Sequence, residues 1–515
     1  MSSWPEKQAA LPADQFQWTW ESVAYWAARQ GDSPAMRDPL AELTYADLRA
    51  RIDGWAEALQ AHGLAPGDRL LILCENSCAT AVAIFAAQRL KAWAIPLNAR
   101  LSAPEVDAIA AHSGARLVLA TAGVSPDAAK HAERLGAKPL EPFAALGALL
   151  AEGPAPRPPE PVFDDPRRQV AAMIYTSGTT GLPKGVMLSH DNLLFIAGRS
   201  SSTRWLTPDD HVYGVLPSSH VFGLSSVLCG TLYQGGRLLI APRFDGEAVL
   251  KALAEAGISI FQGVPQMHAR LCSLIETAGH AVVAPRLRYL SSGGAPLDPA
   301  LKARVESDFG LPLHNGYGLT ETSPTVTTTP THTPCADTST GPAIPDVEIR
   351  IATAEGSQAE IDQVGEIWVR GRLIMQGYYR DGEATKAVIT PEGWFKSGDL
   401  GRFDARGYLW VVGRLKELII RSGFNVYPPE VEAVLTAHPD VALSAVLGAP
   451  QADGNEEIVA FLQPKPGRNL DLETMRAFAK ERLAPYKRPG RYEVMAELPA
   501  AATGKLLKHK LRAFL

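Results

Sequence analysis

The chain has 515 residues, of which 46% are hydrophobic and 20% charged, and its formal net charge is −5. That length exceeds a single hydrophobic core, so we expect roughly two to four domains or subdomains in an ordinary globular protein. Without a basic excess, nucleic acid is excluded as an expected partner.

Cysteine usage and hydropathy indicate the cytoplasm. The five cysteines are scattered and odd in number, which favours buried free thiols over a zinc site or a disulfide framework. No signal peptide is recognisable, and the longest apolar run, around residues 79–87, is far shorter than the ~20 residues that span a bilayer. We therefore expect a cytoplasmic protein without a transmembrane segment.

The first third of the chain alternates strands with helices. Thr44 is a candidate N-cap for a helix through Leu48, Ile52 and Leu59, and a second helix is expected over residues 79–90. This alternation predicts a parallel, doubly wound α/β architecture. The strands that we predict here are 70–74, 94–97 and 117–120.

A loop rich in glycine and hydroxyl groups follows, between strands predicted at 170–175 and 186–188. Its sequence is Tyr175-Thr-Ser-Gly-Thr-Thr-Gly-Leu-Pro-Lys-Gly185. Glycine lets backbone N–H groups approach an anion, and the lysine adds a positive charge. The loop is not a Walker A motif, because proline stands where the second glycine would fall and glycine follows the lysine. We predict a polyphosphate loop rather than a flexible surface turn; its residues are Thr176, Ser177, Gly178, Thr179, Thr180, Gly181 and Lys184.

Beyond this loop the pattern changes twice. Further α/β units, the first with a helix capped by Ser189 or Asp191, give way near residue 341 to alternating strands that predict a small β-barrel or an antiparallel sheet. After Arg414, α+β segments predict a smaller domain. We thus predict an N-terminal domain over 1–414, with α/β subdomains to about 340 and a β-rich subdomain over 341–414, and a C-terminal domain over 415–515.

A second unusual run is Asn315-Gly-Tyr-Gly-Leu-Thr-Glu-Thr322. Glycines on both sides of Tyr317 allow a ligand to approach the backbone while the ring offers a flat face. Glu321 is a hard oxygen ligand of the kind that magnesium takes beside phosphates. A structural turn around a core tyrosine fits the same residues equally well.

Three shorter motifs are weaker when taken singly. Ser291-Ser-Gly-Gly-Ala-Pro296 follows a predicted strand and is compatible with a plain tight turn. Asp399, in Ser397-Gly-Asp399, and Arg414 end strand-like segments and are therefore expected in loops, where they could hold ribose hydroxyls or form a surface salt bridge. Thr503-Gly-Lys505 places a lysine in a turn near the C-terminus.

In this order the motifs resemble the adenylate-forming superfamily of acyl-CoA synthetases, adenylation domains and luciferases. The resemblance extends from about Leu43 to Leu515. It implies an α/β fold with a large N-terminal domain of doubly wound αβαβα subdomains and a smaller, mobile α+β C-terminal domain. It also implies that a carboxylic acid and MgATP form an acyl-adenylate and pyrophosphate, and that the acyl group passes to coenzyme A, so ATP, Mg2+ and coenzyme A are the expected ligands.

The resemblance assigns the nucleotide contacts residue by residue. The loop from Thr176 to Lys184 would hold the β- and γ-phosphates, Thr320 the α-phosphate and Glu321 the magnesium ion. Lys505 would bridge the carboxylate and α-phosphate, where preorganised charge lowers the barrier. The ribose is assigned to Asp399 with Arg414. The adenine pocket is assigned to Gly293, Gly294, Ala295, Pro296, Asn315, Gly316, Tyr317 and Gly318.

The resemblance also assigns residues to the second half-reaction, the transfer of the acyl group to coenzyme A. Lys416 would be the hinge about which the C-terminal domain turns, and Ser422, Gly423 and Phe424 would line the coenzyme A tunnel. His220 would act near the acyl carboxylate, although a satisfied core histidine is the alternative. The acyl pocket is assigned to His220, Val221, Phe222, Gly318, Ser323 and Pro324.

The acid is the least determined feature. The pocket residues include no fixed cation, so we expect an apolar aromatic or medium-chain monocarboxylate; Arg199 and Arg204 are the nearby cations that bear on this expectation. The alternatives are a luciferase-like oxygenase, a stand-alone adenylation enzyme and a non-catalytic nucleotide-binding protein. The oligomeric state is open, a homodimer included.

Overall fold

The structure is a computed structural model that describes residues 11, 14–176, 183–279, 281–421, 424–451, 455–500 and 506–515. Several residues predicted as functional lie outside these ranges, so their predicted roles stay predictions. They are Ser177, Gly178, Thr179, Thr180, Gly181, Ser422, Gly423 and Lys505.

Helices and strands alternate through most of the described chain. The helices α1 to α14 are, in chain order, Glu21–Gln30, Tyr45–Ala61, Cys78–Arg89, Ala103–Ser113, Pro126–Arg134, His190–Thr203, Gly230–Tyr233, Gly246–Glu255, Pro265–Ala278, Pro299–Phe309, Gly382–Val388, Pro428–Thr436, Leu472–Arg482 and Lys508–Leu511. The strands β1 to β24 are Pro34–Arg37, Glu42–Thr44, Arg69–Cys74, Trp93–Asn98, Leu117–Ala120, Leu149–Glu152, Val170–Thr176, Lys184–Ser189, His211–Gly214, Arg237–Ile240, Ile260–Gly263, Tyr289–Ser292, Leu313–Gly318, Thr325–Thr328, Val347–Ala352, Gly365–Gly371, Gly377–Tyr378, Phe395–Phe403, Leu409–Arg414, Ile419–Arg421, Phe424–Val426, Val441–Pro450, Glu456–Pro464 and Arg491–Val494.

Local sequence signals explain where key helices begin. Thr44 caps α2 as predicted: its side chain accepts the Asp47 N–H, and the Asp47 carboxylate accepts the Thr44 N–H, both at 3.1 Å. Ser189, rather than Asp191, caps α6 by accepting the Asn192 N–H at 3.1 Å. These reciprocal bonds satisfy N–H groups that a helix start leaves without partners.

Two large sheets form the predicted doubly wound α/β part. One has the order β17-β8-β7-β4-β3-β5-β6, with the inner strands β7, β4, β3 and β5 parallel. The other has the order β14-β13-β12-β11-β9-β10-β1-β2 and is parallel from β13 to β1. In both sheets the outermost pairs are antiparallel.

The strand side chains alternate between two cores. On β3, Leu70 and Ile72 join a cluster that also contains almost all of α3 and side chains of the eight-stranded sheet. Leu71 and Leu73 join a second cluster with α4 and α5. Because both faces are covered, every residue of β3 is buried, as expected for an inner parallel strand.

Of the two alternatives predicted for the β-rich segment, a small barrel or a sheet, the structure has the sheet: four antiparallel strands in the order β15-β16-β18-β19. In the described residues its outer strands, β15 and β19, do not pair with each other. Asp399 lies inside β18 and Arg414 is the last residue of β19, whereas we had expected both in loops. Cross-strand pairing explains the difference, because Asp399 lies directly opposite Arg414.

The C-terminal part has its own core. The hairpin β20–β21 and the sheet β22-β23-β24 pack with α12 and α13 around clusters drawn from residues 419 to 511 alone. A separate core is what a C-terminal domain over 415–515 requires; the boundary itself stays a prediction.

All five cysteines are buried and unpaired, as predicted. Burial raises the pKa of Cys74 and of Cys229 to about 12 in each case. Among the described residues, no helix combines the length and apolar character that a bilayer crossing requires.

Candidate active site

The hairpin β7–β8 carries the ends of the predicted phosphate loop. Thr176 and Lys184 lie opposite each other in the ladder, so the loop leaves and returns at one point. The Lys184 ammonium lies 4.6 Å from the centre of the Tyr378 ring. This cation–π contact places the lysine charge at the base of the loop.

Tyr317 connects two sheets. It lies near the end of β13, where the chain pairs with β14, and its hydroxyl donates to Asp399 Oδ2 at 2.7 Å. Burial, and then the Asp399 charge, raise the pKa of Tyr317 well above its ordinary value. The phenol therefore remains a donor at neutral pH.

Asp399 also forms an ion pair with Arg414. The Arg414 Nε atom lies 3.1 Å from Asp399 Oδ1, and the arginine side chain is 44% exposed while the aspartate side chain is 7% exposed. Burial alone would lower the pKa of Arg414, but Asp399 and then Glu417 raise it. A phenol, a carboxylate and a guanidinium, all singled out from sequence, thus meet in one cluster.

Thr320 and Glu321 lie in the short 3-10 turn that follows β13. Thr320 is buried, and the Glu321 carboxylate accepts a hydrogen bond from the Tyr378 hydroxyl at Oε1, 2.8 Å away. The Glu321 carbonyl accepts the Met375 N–H at 3.0 Å. The turn is therefore fixed by a segment more than fifty residues further along the chain.

Gly293, Phe222 and His220 come together beside β12. A Cβ added at Gly293 would lie 3.1 Å from Phe222 Cε1, so the glycine makes room for the phenyl ring. The Phe222 N–H donates to His220 Nδ1 at 3.3 Å. Gly294 adopts a left-handed φ of +80°, which favours glycine. Ala295 is half-buried and Pro296 is exposed.

Not every predicted pocket residue presents its side chain to this space. The Ser323 hydroxyl is fully buried and donates to the Leu373 carbonyl at 2.8 Å. The Asn315 amide donates to the Thr338 carbonyl at 2.9 Å, and Gly316 donates its N–H back to Asn315. Both side chains therefore stabilise the backbone next to the predicted pocket.

Gly318 allows a close backbone crossing. A Cβ at this position would lie 1.9 Å from the Pro324 carbonyl oxygen, which no side chain could tolerate. The Leu319 N–H donates to the same oxygen at 3.2 Å. Gly318 and Pro324 therefore form the crossing that brings the Thr320–Thr322 turn beside β14.

A π-helical segment, Phe222–Cys229, follows His220 and Val221. Val221 is fully buried, and a Cβ at Gly223 would lie 2.2 Å from the Pro217 carbonyl oxygen. A small cavity lies against this segment. It is lined mainly by apolar groups and small polar side chains, among them Asn76, Ser218, Gly223, Val227 and Leu228.

Arg199 and Arg204, the two cations that bear on the choice of acid, are held by the protein. Arg199 forms an ion pair with Asp346. Arg204 is 2% exposed and donates to the Ser200 and Ser226 carbonyls at 2.7 Å each. Its third contact is the Gln262 amide oxygen. Burial lowers the pKa of Arg204 to about 10, so it remains charged at neutral pH.

The predicted hinge is a single exposed 3-10 turn. Lys416 lies in Leu415–Glu417, immediately after β19. Beyond the turn, Phe424 is 54% exposed and stacks on Tyr486, with ring centres 4.6 Å apart.

Sequence reasoning missed two side chains that organise these regions. Tyr378 lies in a strand of two residues, too short to show a periodic pattern. Lys508 lies between Glu417 and Glu432 at 3.0 and 2.8 Å, a grouping that spans more than ninety positions. For Tyr378, the only sequence signal was that a Gly-Tyr pair stands shortly before a helix. For Lys508 there was no local signal.

Comparison with known proteins identifies the family. Residues 23–379 match the AMP-binding enzyme family and residues 430–505 match the AMP-binding enzyme C-terminal domain. Feruloyl-CoA synthase from Amycolatopsis sp. is 34% identical over 500 residues, 96% of this chain and 99% of the relative. Indoleacetate–CoA ligase from Aromatoleum aromaticum is 34% identical over 485 residues, 93% and 94% of the two chains. The solved structure of o-succinylbenzoate coenzyme A synthetase from Bacillus subtilis, in complex with ATP and a magnesium ion, is 29% identical with a TM-score of 0.81. The match covers 95% of this chain and 99% of that chain.

The chain therefore belongs to the AMP-binding enzymes, the adenylate-forming superfamily that its motifs resemble. Within that superfamily it is an AMP-forming acid–thiol ligase, an enzyme that uses ATP and coenzyme A.

Proposed function

We propose that this enzyme joins an apolar aromatic or medium-chain monocarboxylic acid to coenzyme A. In the first step an oxygen of the carboxylate attacks the α-phosphorus of ATP and displaces pyrophosphate. In the second step the thiol sulfur attacks the acyl carbon, the bond to AMP breaks, and the thiol proton is lost to solvent.

The proposal for the acid rests on Arg199 and Arg204, because both guanidinium groups already bind protein partners. With both guanidinium groups so engaged, a second carboxylate on the substrate would enter the region without a matching cation, at a cost of several kcal/mol by order of magnitude. The half-buried Phe222 ring favours an apolar group instead. The aromatic acids named for feruloyl-CoA synthase and indoleacetate–CoA ligase agree with this choice.

The adenosine part is assigned to the cluster at the sheet junction. In this proposal Asp399 and Arg414 hold the ribose, and Tyr317 holds Asp399 while its ring lies against the base. Gly293, Gly294, Ala295, Pro296, Asn315, Gly316 and Gly318 form the surrounding backbone. Thr320 contacts the α-phosphate. Lys184, Thr176 and the loop between them bind the β- and γ-phosphates.

Magnesium fits the Glu321 carboxylate. The described residues contain no group of three or more His, Cys, Asp or Glu side chains that could hold a metal alone. A single carboxylate with substrate phosphates and water is the arrangement that Mg2+ prefers. Bound there, the ion would neutralise phosphate charge.

The second step is assigned to the C-terminal domain. Lys505 is proposed to stabilise the first transition state and to leave when the domain turns at Lys416. Ser422, Gly423 and Phe424 would then face the pantetheine arm, with His220 near the acyl carboxylate. The five buried thiols support the cytoplasm as the compartment. A homodimer stays a prediction that no described feature tests.

A panel of carboxylic acids tests the proposal. AMP release and the acyl-CoA product are measured with ATP, Mg2+ and coenzyme A, using ferulate, indoleacetate, octanoate, oxalate and o-succinylbenzoate. We expect the three monocarboxylates to exceed both dicarboxylates in kcat/KM. Preference for a dicarboxylate would overturn the proposed acid, and acid-dependent pyrophosphate exchange without any thioester would overturn the second step.

Lys505→Ala separates the two half-reactions. It should abolish most acyl-adenylate formation and largely spare thioester formation from a preformed adenylate. Equal loss in both half-reactions would contradict the role proposed for Lys505.

A further inference from the structure

A short segment connects the two parts of the proposed triphosphate site. The Gln376 N–H donates to the Met187 carbonyl at 2.9 Å, and the Tyr379 N–H donates to the Gly185 carbonyl at 2.8 Å, which fixes the segment to β8 next to Lys184. At its other end the Met375 N–H donates to the Glu321 carbonyl at 3.0 Å. The strand that carries the lysine and the turn that carries the glutamate are therefore tied together by β17 and the residues beside it.

Tyr378, in the middle of this segment, contacts both charged side chains. Its hydroxyl donates to Glu321 Oε1 at 2.8 Å, and its ring lies under the Lys184 ammonium at 4.6 Å. The tyrosine is 8% exposed, and its own N–H donates to Thr385 Oγ1 at 2.9 Å. Because the ring is nearly buried and the backbone of Tyr378 is fixed, the hydroxyl is held in one position.

The contact has a chemical consequence for the carboxylate. The Tyr378 hydroxyl donates its one hydrogen to this carboxylate. It occupies Oε1, and no described residue donates to Oε2. A carboxylate held in this way presents one oxygen in a fixed direction, as partners of metal ligands commonly ensure.

We propose that Tyr378 is a positioning residue that holds Glu321 ready for magnesium and couples it to Lys184. The inference rests on the proposed role of Glu321. It adds a residue that lies outside the motifs described from the sequence, and it predicts that the Tyr378 hydroxyl matters for ATP only when Mg2+ is present.

The test measures the Kd for ATP of two tyrosine variants by calorimetric titration. No carboxylic acid or coenzyme A is present, and each titration is done once with Mg2+ and once with EDTA. Tyr378→Phe keeps the ring over Lys184 and removes the hydroxyl. Tyr379→Phe is the control, because the neighbouring hydroxyl also donates to a carboxylate, that of the half-buried Glu160, at 2.6 Å. Melting temperatures of both variants verify that the fold is intact.

We expect Tyr378→Phe to raise the Kd for ATP in Mg2+ by about tenfold, the lower range for such partners of metal ligands, and to leave the Kd in EDTA unchanged. Tyr379→Phe should change neither value by more than about twofold. Glu321→Gln should also weaken binding in Mg2+, and adding Tyr378→Phe to it should weaken binding no further. That non-additivity is the sign of a residue acting through Glu321.

The outcomes separate the inference from the proposed function. Equal weakening in Mg2+ and EDTA, equal effects of the two tyrosine variants, or additive effects in the double variant would each overturn the role of Tyr378 alone. An unchanged Kd in Mg2+ for Glu321→Gln would overturn the magnesium role proposed for Glu321, and the inference with it.

Discussion

Tyr317 donates its hydroxyl hydrogen to Asp399 at 2.7 Å, across the junction between the eight-stranded sheet and the four-stranded sheet. The carboxylate also forms an ion pair with the Arg414 guanidinium on the neighbouring strand. Since each partner comes from a different strand, the geometry of the proposed ribose site depends on how the two sheets pack.

Tyr317→Phe should weaken nucleotide binding while the protein remains folded. Loss of a hydrogen bond to a buried carboxylate costs roughly 1.5–3 kcal/mol, so we expect the free energy of unfolding in urea to fall by that amount. Because Asp399 then loses one of its fixed contacts, we expect the Kd for AMP to rise by about tenfold in calorimetry.

Tyr45→Phe is the control for this variant. The Tyr45 hydroxyl is buried and donates to the Gly236 carbonyl at 2.6 Å, away from the predicted nucleotide site. It should lower stability and leave the Kd for AMP unchanged. If both variants bind AMP equally well, the Tyr317–Asp399 contact is structural only.

How far the sequence could predict this site differs from residue to residue. Hydrophobic runs predicted β3 and the helix α3, and a hydroxyl before a helix predicted the Thr44 cap, because these signals are local. The flanking glycines of Tyr317 suggested a turn, yet the residue lies in β13, since antiparallel pairing with β14 stabilises an extended backbone there. Likewise Ser397-Gly-Asp399 suggested a loop and forms part of β18.

Contacts between distant segments could not be predicted from the sequence. Glu321 and Tyr378 are separated by 57 positions, and each belongs to an element of at most three residues. Such pairs are fixed by the packing of sheets, which no local periodicity encodes. The motifs thus predict a set of nucleotide contacts, and the structure adds neighbouring side chains, such as Tyr378, that hold some of those residues in place.

Gly293→Ala should change which acids are used. The new methyl group would lie 3.1 Å from Phe222 Cε1, a contact that the ring can relieve only by moving. We expect the KM for a preferred aromatic acid to rise by about tenfold, the scale on which one methyl group alters discrimination in an apolar pocket, with a smaller change in the KM for ATP.

Gly54→Ala is the matched control, since nothing lies within 4 Å of a Cβ at Gly54 in α2. That variant should raise stability by about 0.5–1 kcal/mol and leave both KM values unchanged. An unaltered acid profile for Gly293→Ala would place Phe222 outside the acyl pocket.

Lys508→Met should destabilise the C-terminal part. The lysine neutralises Glu417 and Glu432, and both Lys508 and Glu432 side chains are 17% exposed. Removing one partner of a mostly buried pair leaves uncompensated charge, so we expect a loss of about 3 kcal/mol in urea unfolding. Adding Glu432→Gln to this variant should restore more than half of the loss.

Lys510→Met provides the comparison for Lys508→Met, because Lys510 is exposed. It should change stability by no more than about 0.5 kcal/mol. Equal stabilities for the two methionine variants would show that the Lys508 cluster contributes nothing.

Buried histidines should make the protein less stable in mild acid, and His314 isolates one contribution. Burial, and then the Lys302 charge, lower the pKa of His314 to about 4; its ring stacks on Tyr289 with centres 4.7 Å apart. The unfolded chain takes up this proton near pH ~6.5, so stability is fully present above that pH and is lost as the pH falls to about 4. His314→Phe keeps an aromatic ring, and in urea unfolding between these pH values it should lose roughly 2–3 kcal/mol less than the wild type. Exposed His509→Gln should retain the wild-type pH dependence, and an equal slope for His314→Phe would show that His314 does not remain neutral in the folded protein.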